Sequence, residues 1–234
     1  MLVNHKRKLI FIHIPKNAGS TFRFTKLPDN EKKEWECPFE DINKYHHGTL
    51  WEFLQKYSRC RDYKVIAIIR NPYDRALSWY FYYRTPKFRD NWYSKFRAIQ
   101  IAKGSFLEFV LWYEKYFKIT WEMLPQTFFL TYKGNIFLDY RINLDNVEKE
   151  LYDLWINLGF HPENKISHIN KSSETFKVED MYCDESISII NKWYKEDFKY
   201  FNYDYLVKGF KLKDMNKFHN NFYKRPLSAD DRGW

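Results

Sequence analysis

An apolar run that breaks at a proline constrains this chain more than anything else in it. Residues 9–14, Leu-Ile-Phe-Ile-His-Ile, are β-branched-rich and nearly free of polar groups, the pattern of a strand covered on both faces. Pro15 ends that strand, because it has no N–H to give to a neighbour. Lys16, Asn17, Ala18, Gly19, Ser20 and Thr21 follow. Gly19 suits a tight turn, and Ser20 or Thr21 suits the cap of a helix running to about residue 27, where Pro28 stops it. A strand, a small-residue loop and a helix start gather free backbone N–H groups around one point, and a helix dipole adds partial positive charge there. With Lys16 at its mouth, the loop is a candidate phosphate site. An ordinary strand-to-helix turn with a surface lysine fits these residues equally well. The loop is not of the Gly-Lys-Ser/Thr type, in which the lysine stands inside the helix.

Residues 65–69, Val-Ile-Ala-Ile-Ile, form a second buried run, ending in Arg70-Asn-Pro-Tyr-Asp74. Asp74 is the expected cap of a helix to about residue 83, with Ser78 one turn inside. Two capping boxes, Thr49 with Glu52 and Ser105 with Glu108, start helices at 50 and 106. Residues 127–132 and 136–140, around Lys133-Gly134-Asn135, read as two short strands and a turn. Asp145 and Glu148 are the expected caps of a helix whose apolar positions are Val147, Leu151, Leu154 and Leu158, with Gly159 as its stop. A last helix is expected over 184–200, with Ile187, Ile190, Tyr194 and Phe198 on one face. Buried strands alternating with helices predict an α/β fold, a P-loop-like parallel sheet flanked by helices on both faces. The 234 residues fit a single domain, with a core over 8–205 and a peripheral tail over 206–234.

In such a sheet, ligands bind beyond the carboxyl ends of the strands, where both candidate loops fall. Lys and Arg outnumber Asp and Glu by 39 to 30, a net charge of +9 that favours anionic partners. Cys37, Cys60 and Cys183 are odd in number and far apart, which predicts neither a disulfide framework nor a zinc site. No membrane span is expected, and cytoplasm is the expected location. The glycosylation sequon at Asn170-Lys171-Ser172 carries no weight there.

Several stretches taken together resemble the carbohydrate-type sulfotransferase family 2 domain. These are Phe11-Ile-His-Ile-Pro-Lys16, Tyr45-His-His-Gly-Thr-Leu50, Arg70-Asn-Pro-Tyr-Asp-Arg75, His168-Ile-Asn-Lys-Ser172 and Tyr194-Lys-Glu-Asp-Phe-Lys-Tyr-Phe201. The resemblance covers roughly residues 8–205. It implies the sulfotransferase fold and transfer of a sulfuryl group from 3′-phosphoadenosine 5′-phosphosulfate (PAPS) to an acceptor hydroxyl, with no metal. It also implies that residues 16–21 hold the 5′-phosphosulfate and that Arg70 and Ser78 hold the 3′-phosphate. His47 matches the base position, and a one-residue slip in register puts His46 there instead. Lys16 is implied to neutralise charge on the bridging oxygen. Asn170, Lys171 and Ser172 are candidates to close over nucleotide or acceptor, and a plain polar surface loop suits them nearly as well. The basic, aromatic residues 84–97 suit a sugar or acidic polymer as acceptor, so a glycan or other small molecule is the expected partner. Two departures stand out: Asn17 where the family often has Thr, and Asn143-Leu-Asp-Asn146 where it has an Arg-aromatic-Glu-Asn run.

Two other readings compete. A nucleotide kinase shares the strand-loop-helix start, yet here the second strand ends in Arg where a Mg²⁺-binding Asp is expected. A basic nucleic-acid-binding protein fits the charge, yet the basic residues cluster on no single helix and no recognition motif occurs, so no nucleic-acid partner is expected.

Overall fold

The computed structural model describes residues 1–38, 47–83, 104–116, 123–163, 178–206 and 209. Its centre is a four-stranded sheet in the order β1 (Leu2–Asn4), β2 (Leu9–Ile12), β3 (Lys64–Ile69), β6 (Tyr140–Asn143). Strands β2 and β3 are parallel, with Phe11 opposite Ile66. On the far side β6 lies parallel to β3, with Ile142 opposite Ile68. The sheet is therefore mixed rather than wholly parallel, because β1 pairs antiparallel with β2 at one edge.

Alternation along the strands sends side chains to two separate cores. Ile10, Ile12, Val65, Ala67 and Ile69 pack with Leu50, Phe53 and Leu54 on one face. Leu9, Phe11, Ile66, Ile68 and Ile142 pack on the other with Phe22, Leu151, Leu154 and Trp155. Both faces of the central strands are covered, as near-continuous apolar runs require. A third core lies beside the sheet and is built mainly of aromatic side chains, including Tyr73, Tyr80, Tyr83, Phe106, Phe109, Tyr113, Tyr182 and Tyr194. It absorbs much of the aromatic content.

In chain order the helices are α1 (Gly19–Arg23), α2 (Asp29–Lys32), α3 (Leu50–Lys56), α4 (Pro72–Tyr83), α5 (Phe106–Tyr116) and α6 (Gln126–Phe129). They continue with α7 (Val147–Asn157), α8 (Val178–Met181), α9 (Asp184–Trp193) and α10 (Lys195–Phe201). Both expected capping boxes form: Thr49 with Glu52, and Ser105 with Glu108. Gly159 stops α7 at φ 71°, a left-handed turn that glycine adopts without penalty.

Elsewhere the structure departs from the sequence reading. The strand expected over 127–132 is helix α6 followed by the two-residue β4 (Thr131–Tyr132), paired with β5 (Asn135–Ile136). The strand expected over 136–140 ends where β6 begins. As an edge strand, β6 buries only Ile142 fully, so it carries no long apolar signal. The cap position of α7 is Asn146, without a side-chain bond, and Glu150 reaches back to accept from the Asn143 N–H at 2.6 Å. The last helix is two, broken at Tyr194, whose buried ring lies 5.5 Å from the Arg75 guanidinium. Helix α1 ends at Arg23, four residues short of expectation, and Thr25 turns its hydroxyl back to the Thr21 carbonyl. Cys37, Cys60 and Cys183 are free thiols. Among the described residues no helix is long and apolar enough to cross a membrane.

Candidate functional site

Strands β2 and β3 run parallel and side by side, so the loops leaving their carboxyl ends emerge as neighbours. Loop one leaves β2 and turns through two left-handed residues that are not glycine, Lys16 at φ 67° and Ala18 at φ 50°. Left-handed backbone costs an L-residue roughly 1–2 kcal/mol, so the surroundings must hold it. Gly19 is needed for a different reason than turn geometry. A Cβ at Gly19 would lie 1.8 Å from Cδ2 of the His13 ring, so that ring and the helix start can meet only at glycine. Ser20 and Thr21 lie inside α1, and the cap position is Ala18, without a side-chain bond. A five-residue helix adds little dipole. The Asn17 and Thr21 amides are taken by the Ile14 and Ala18 carbonyls, so the positive character of the site rests chiefly on the two cations described below.

Loop two is regular. Pro72 occupies the first turn of α4, where its missing N–H is no loss. Asn71, not Asp74, caps the helix: its Oδ1 accepts from the Tyr73 N–H at 2.9 Å. Asp74, Ser78 and Tyr82 are spaced four apart and only half-buried, so they share the less buried face of α4. The ammonium of Lys16 sits 3.8 Å from the centre of the Tyr82 ring and 5.8 Å from that of Trp79. The face carrying Ser78 is therefore turned toward loop one.

Arg70 joins the loops. Its Nη1 donates to the Lys16 carbonyl at 3.1 Å, while its Nε is buried with no partner among the described residues. Burial, and then the nearby Arg70 charge, pulls the Lys16 pKa down to about 7. Burial also lowers that of Arg70. Among the described residues no carboxylate lies within ion-pair distance of either cation, although the charges of Asp74 and Asp145 partly offset the effect of burial on Arg70. Two positive groups, one with an orphaned buried donor, share a corner edged by loop amides. That arrangement suits an anionic ligand, for which Arg70 offers a planar fork of donors and Lys16 a point charge.

Behind both loops lies a buried polar network that the sequence reading missed. Gln126 accepts from Asn17 Nδ2 at 2.5 Å and from the Arg70 N–H at 2.9 Å, and donates to the Arg70 carbonyl at 2.9 Å. Asp197 accepts from the Gln126 and Thr127 amides at 2.7 and 2.8 Å. Burial pushes its carboxyl up, while Arg75 and these bonds pull it the other way. Arg75, fully buried, donates from Nε to the Pro15 carbonyl and from Nη1 to Leu124. Asn17 thus turns its amide nitrogen inward, also donating to the Ile68 carbonyl at 2.8 Å, while its Oδ1 is buried without a partner among the described residues. The available signal was polar residues within apolar segments: Gln126 before Thr-Phe-Phe, and Asp197 beside the buried Phe198.

His47 stands before the capped helix α3. Its ring meets that of His13 edge-on at 4.3 Å, and Nδ1 lies 3.0 Å from the His13 carbonyl oxygen. A carbonyl can only accept, so Nδ1 carries the proton and the lone pair is on Nε2. His13 therefore connects Gly19 to His47. His161 meets the buried Glu31 at 2.5 Å. His46, His168, Asn170, Lys171 and Ser172, and the basic stretch 84–97, lie outside the described residues. Among those described, no group of three His, Cys, Asp or Glu residues could hold a metal ion.

The model of the family described as "Sulfotransferase family" matches residues 1–204. That span contains both loops, the buried network and His47. No curated protein and no solved structure matches the chain.

Proposed function

This chain belongs to the sulfotransferase family, and from that premise we propose that it moves a sulfuryl group from PAPS to a hydroxyl of a carbohydrate. One observation carries the reading: Lys16 and Arg70 meet at neighbouring strand ends with no carboxylate within ion-pair distance among the described residues, and the Arg70 Nε is buried without an acceptor. Bound there, PAPS supplies an activated sulfuryl group and leaves as the 3′,5′-bisphosphate. Arg70 and Ser78 hold the 3′-phosphate. The amides of loop one and Lys16 hold the 5′ side, where an anion restores the full charge of Lys16 and the ammonium stabilises the departing phosphate oxygen. His47, its Nδ1–H anchored on the His13 carbonyl, takes the acceptor's proton on Nε2 as the new oxygen–sulfur bond forms. The net charge of +9 and the basic, aromatic stretch 84–97 favour a glycan acceptor.

Labelled PAPS offered with glycans, small alcohols and phenols tests this directly. Label should pass to glycans. His47→Ala should slow single-turnover transfer by about 10²- to 10⁴-fold, the usual worth of a general base, while binding the bisphosphate as the wild type does. In a thermal-shift assay the bisphosphate at 100 times Kd should add about 2.7 kcal/mol of stability. Equal stabilisation by AMP would overturn the PAPS assignment. Label on phenols alone would overturn the glycan.

A further inference from the structure

The strongest unexplained feature is the polar network behind the loops. Polar groups are buried at a cost unless each finds a partner, so a fully buried glutamine at the centre of a site requires an account. Gln126 has two acceptor positions on Oε1 and two N–H donors on Nε2. Asn17 Nδ2 and the Arg70 N–H fill the first pair. The Arg70 carbonyl and Asp197 Oδ2, at 2.9 and 3.3 Å, fill the second. No valence is left for a ligand, so Gln126 does not bind one. It ties loop one, through Asn17, to loop two, through both backbone groups of Arg70.

Asp197 fixes the glutamine in turn. Pro125 stands at the cap position of α6 and has no side-chain acceptor to offer, so the first amides of that helix are capped by Asp197, from a helix some seventy residues away. Arg75 adds a second strut over the same ground, bonding the carbonyl of Pro15 at one end and that of Leu124 at the other. Every strut ends on a backbone group or side chain of a phosphate loop, or on the segment that carries Gln126.

We propose that Gln126, backed by Asp197, is a positioning residue that sets the distance between the two phosphate loops, and thereby the preference for a nucleotide phosphorylated at both 3′ and 5′. The proposal rests on the PAPS reading above. A bisphosphate gains from binding both loops at once only if their spacing is held to the span between its phosphates; relaxing the spacing lowers the effective concentration of the second phosphate for its loop. A nucleotide with one phosphate uses one loop and does not depend on the spacing.

The test is titration calorimetry of wild type, Gln126→Met and Asp197→Asn with the 3′,5′-bisphosphate, AMP and 3′-AMP. Gln126→Met keeps the length of the side chain and removes all four bonds. Affinity for the bisphosphate should fall about tenfold or more, while each monophosphate changes by less than about threefold. Asp197→Asn should move the same ratio by a smaller factor. A purely structural role would lower Tm and leave the ratio unchanged, and a folded Gln126→Met protein with the wild-type ratio overturns the proposal. Should Gln126→Met not fold, Asn17→Ala removes the Gln126 strut to loop one together with the Asn17 bond to the Ile68 carbonyl; an unchanged ratio there overturns it equally. A wild type that does not prefer the bisphosphate overturns the PAPS reading itself, a result distinct from any behaviour of the variants.

Discussion

Loop one bends through two left-handed non-glycine residues into a helix of five residues, whereas loop two passes through Pro72 into twelve residues of regular helix capped by Asn71. The first is held from outside. His13 fills the space over Gly19, Gln126 grips Asn17, Arg75 grips Pro15, and Tyr82 lies under Lys16. The second is held largely by its own residues, with the tertiary bonds concentrated at Arg70. Loop one is thus the more vulnerable to distant changes, although it carries the residue nearest the proposed chemistry. Strain at a site persists only where surrounding structure over-determines it, and here the restraining groups come from three separate segments, the end of β2, α4 and α6.

The largest expected effects separate the two cations. Lys16→Ala should lower kcat about 10²- to 10³-fold at saturating PAPS, the scale of losing one group that stabilises developing charge. Arg70→Ala should act mainly on donor binding, by about 1.5–3 kcal/mol for a charged hydrogen bond, with kcat less affected. Steady-state kinetics on both variants decides this, and a Lys16→Ala enzyme with wild-type kcat removes its proposed role in the transition state.

Next come two stability tests of the contrast itself. Gly19→Ala forces a Cβ into the His13 ring and should cost about 1–3 kcal/mol as overpacking, with loss of bisphosphate binding. Asn71→Ala removes a local cap and should cost about 1 kcal/mol, or about 2–4 °C in Tm, with binding largely kept because Gln126 still holds Arg70. If thermal melts give Asn71→Ala the larger loss, the view of loop two as locally held but tolerant is wrong.

The smallest effect concerns a proton. With its pKa lowered to about 7, Lys16 binds less proton in the folded protein than in the unfolded chain between there and its ordinary value. Its contribution is then a penalty, complete below about pH 7 and relieved as pH rises toward about 10.4. A phosphate beside it should raise the pKa again, so nucleotide binding near pH 8.5 should take up as much as one proton. Calorimetry in two buffers of different ionisation enthalpy measures this; identical heats in both would remove the charge argument for Lys16.

Much of the site was legible from local pattern. The runs 9–14 and 65–69 became β2 and β3, slightly trimmed or extended, and their ends brought Lys16 and Arg70 together because adjacent parallel strands present their carboxyl ends side by side. Thr49 with Glu52 placed His47 just before a helix start. What was not legible came from edges and from distance. Strand β6 shows little apolar signal because a sheet edge leaves half its side chains unburied, and β1 is three residues long. The break at Tyr194 lies within an unbroken apolar stripe, since Ile187, Ile190, Tyr194 and Phe198 stay buried on both sides of it.

The sequence by itself determined where the loops are and which charges they carry, because strand burial, proline stops and capping boxes act among residues a few positions apart. Only the tertiary structure decided how loop one is shaped and what Gly19, Asn17, Gln126 and Asp197 do. Gly19 is required by a ring six residues earlier in the chain, folded back over it. The Gln126 amide satisfies loops more than fifty residues upstream, and Asp197 caps a helix about seventy residues before it. The physical reason is that a buried hydrogen bond depends on which polar groups the fold brings within about 3 Å, and sequence separation places no limit on that.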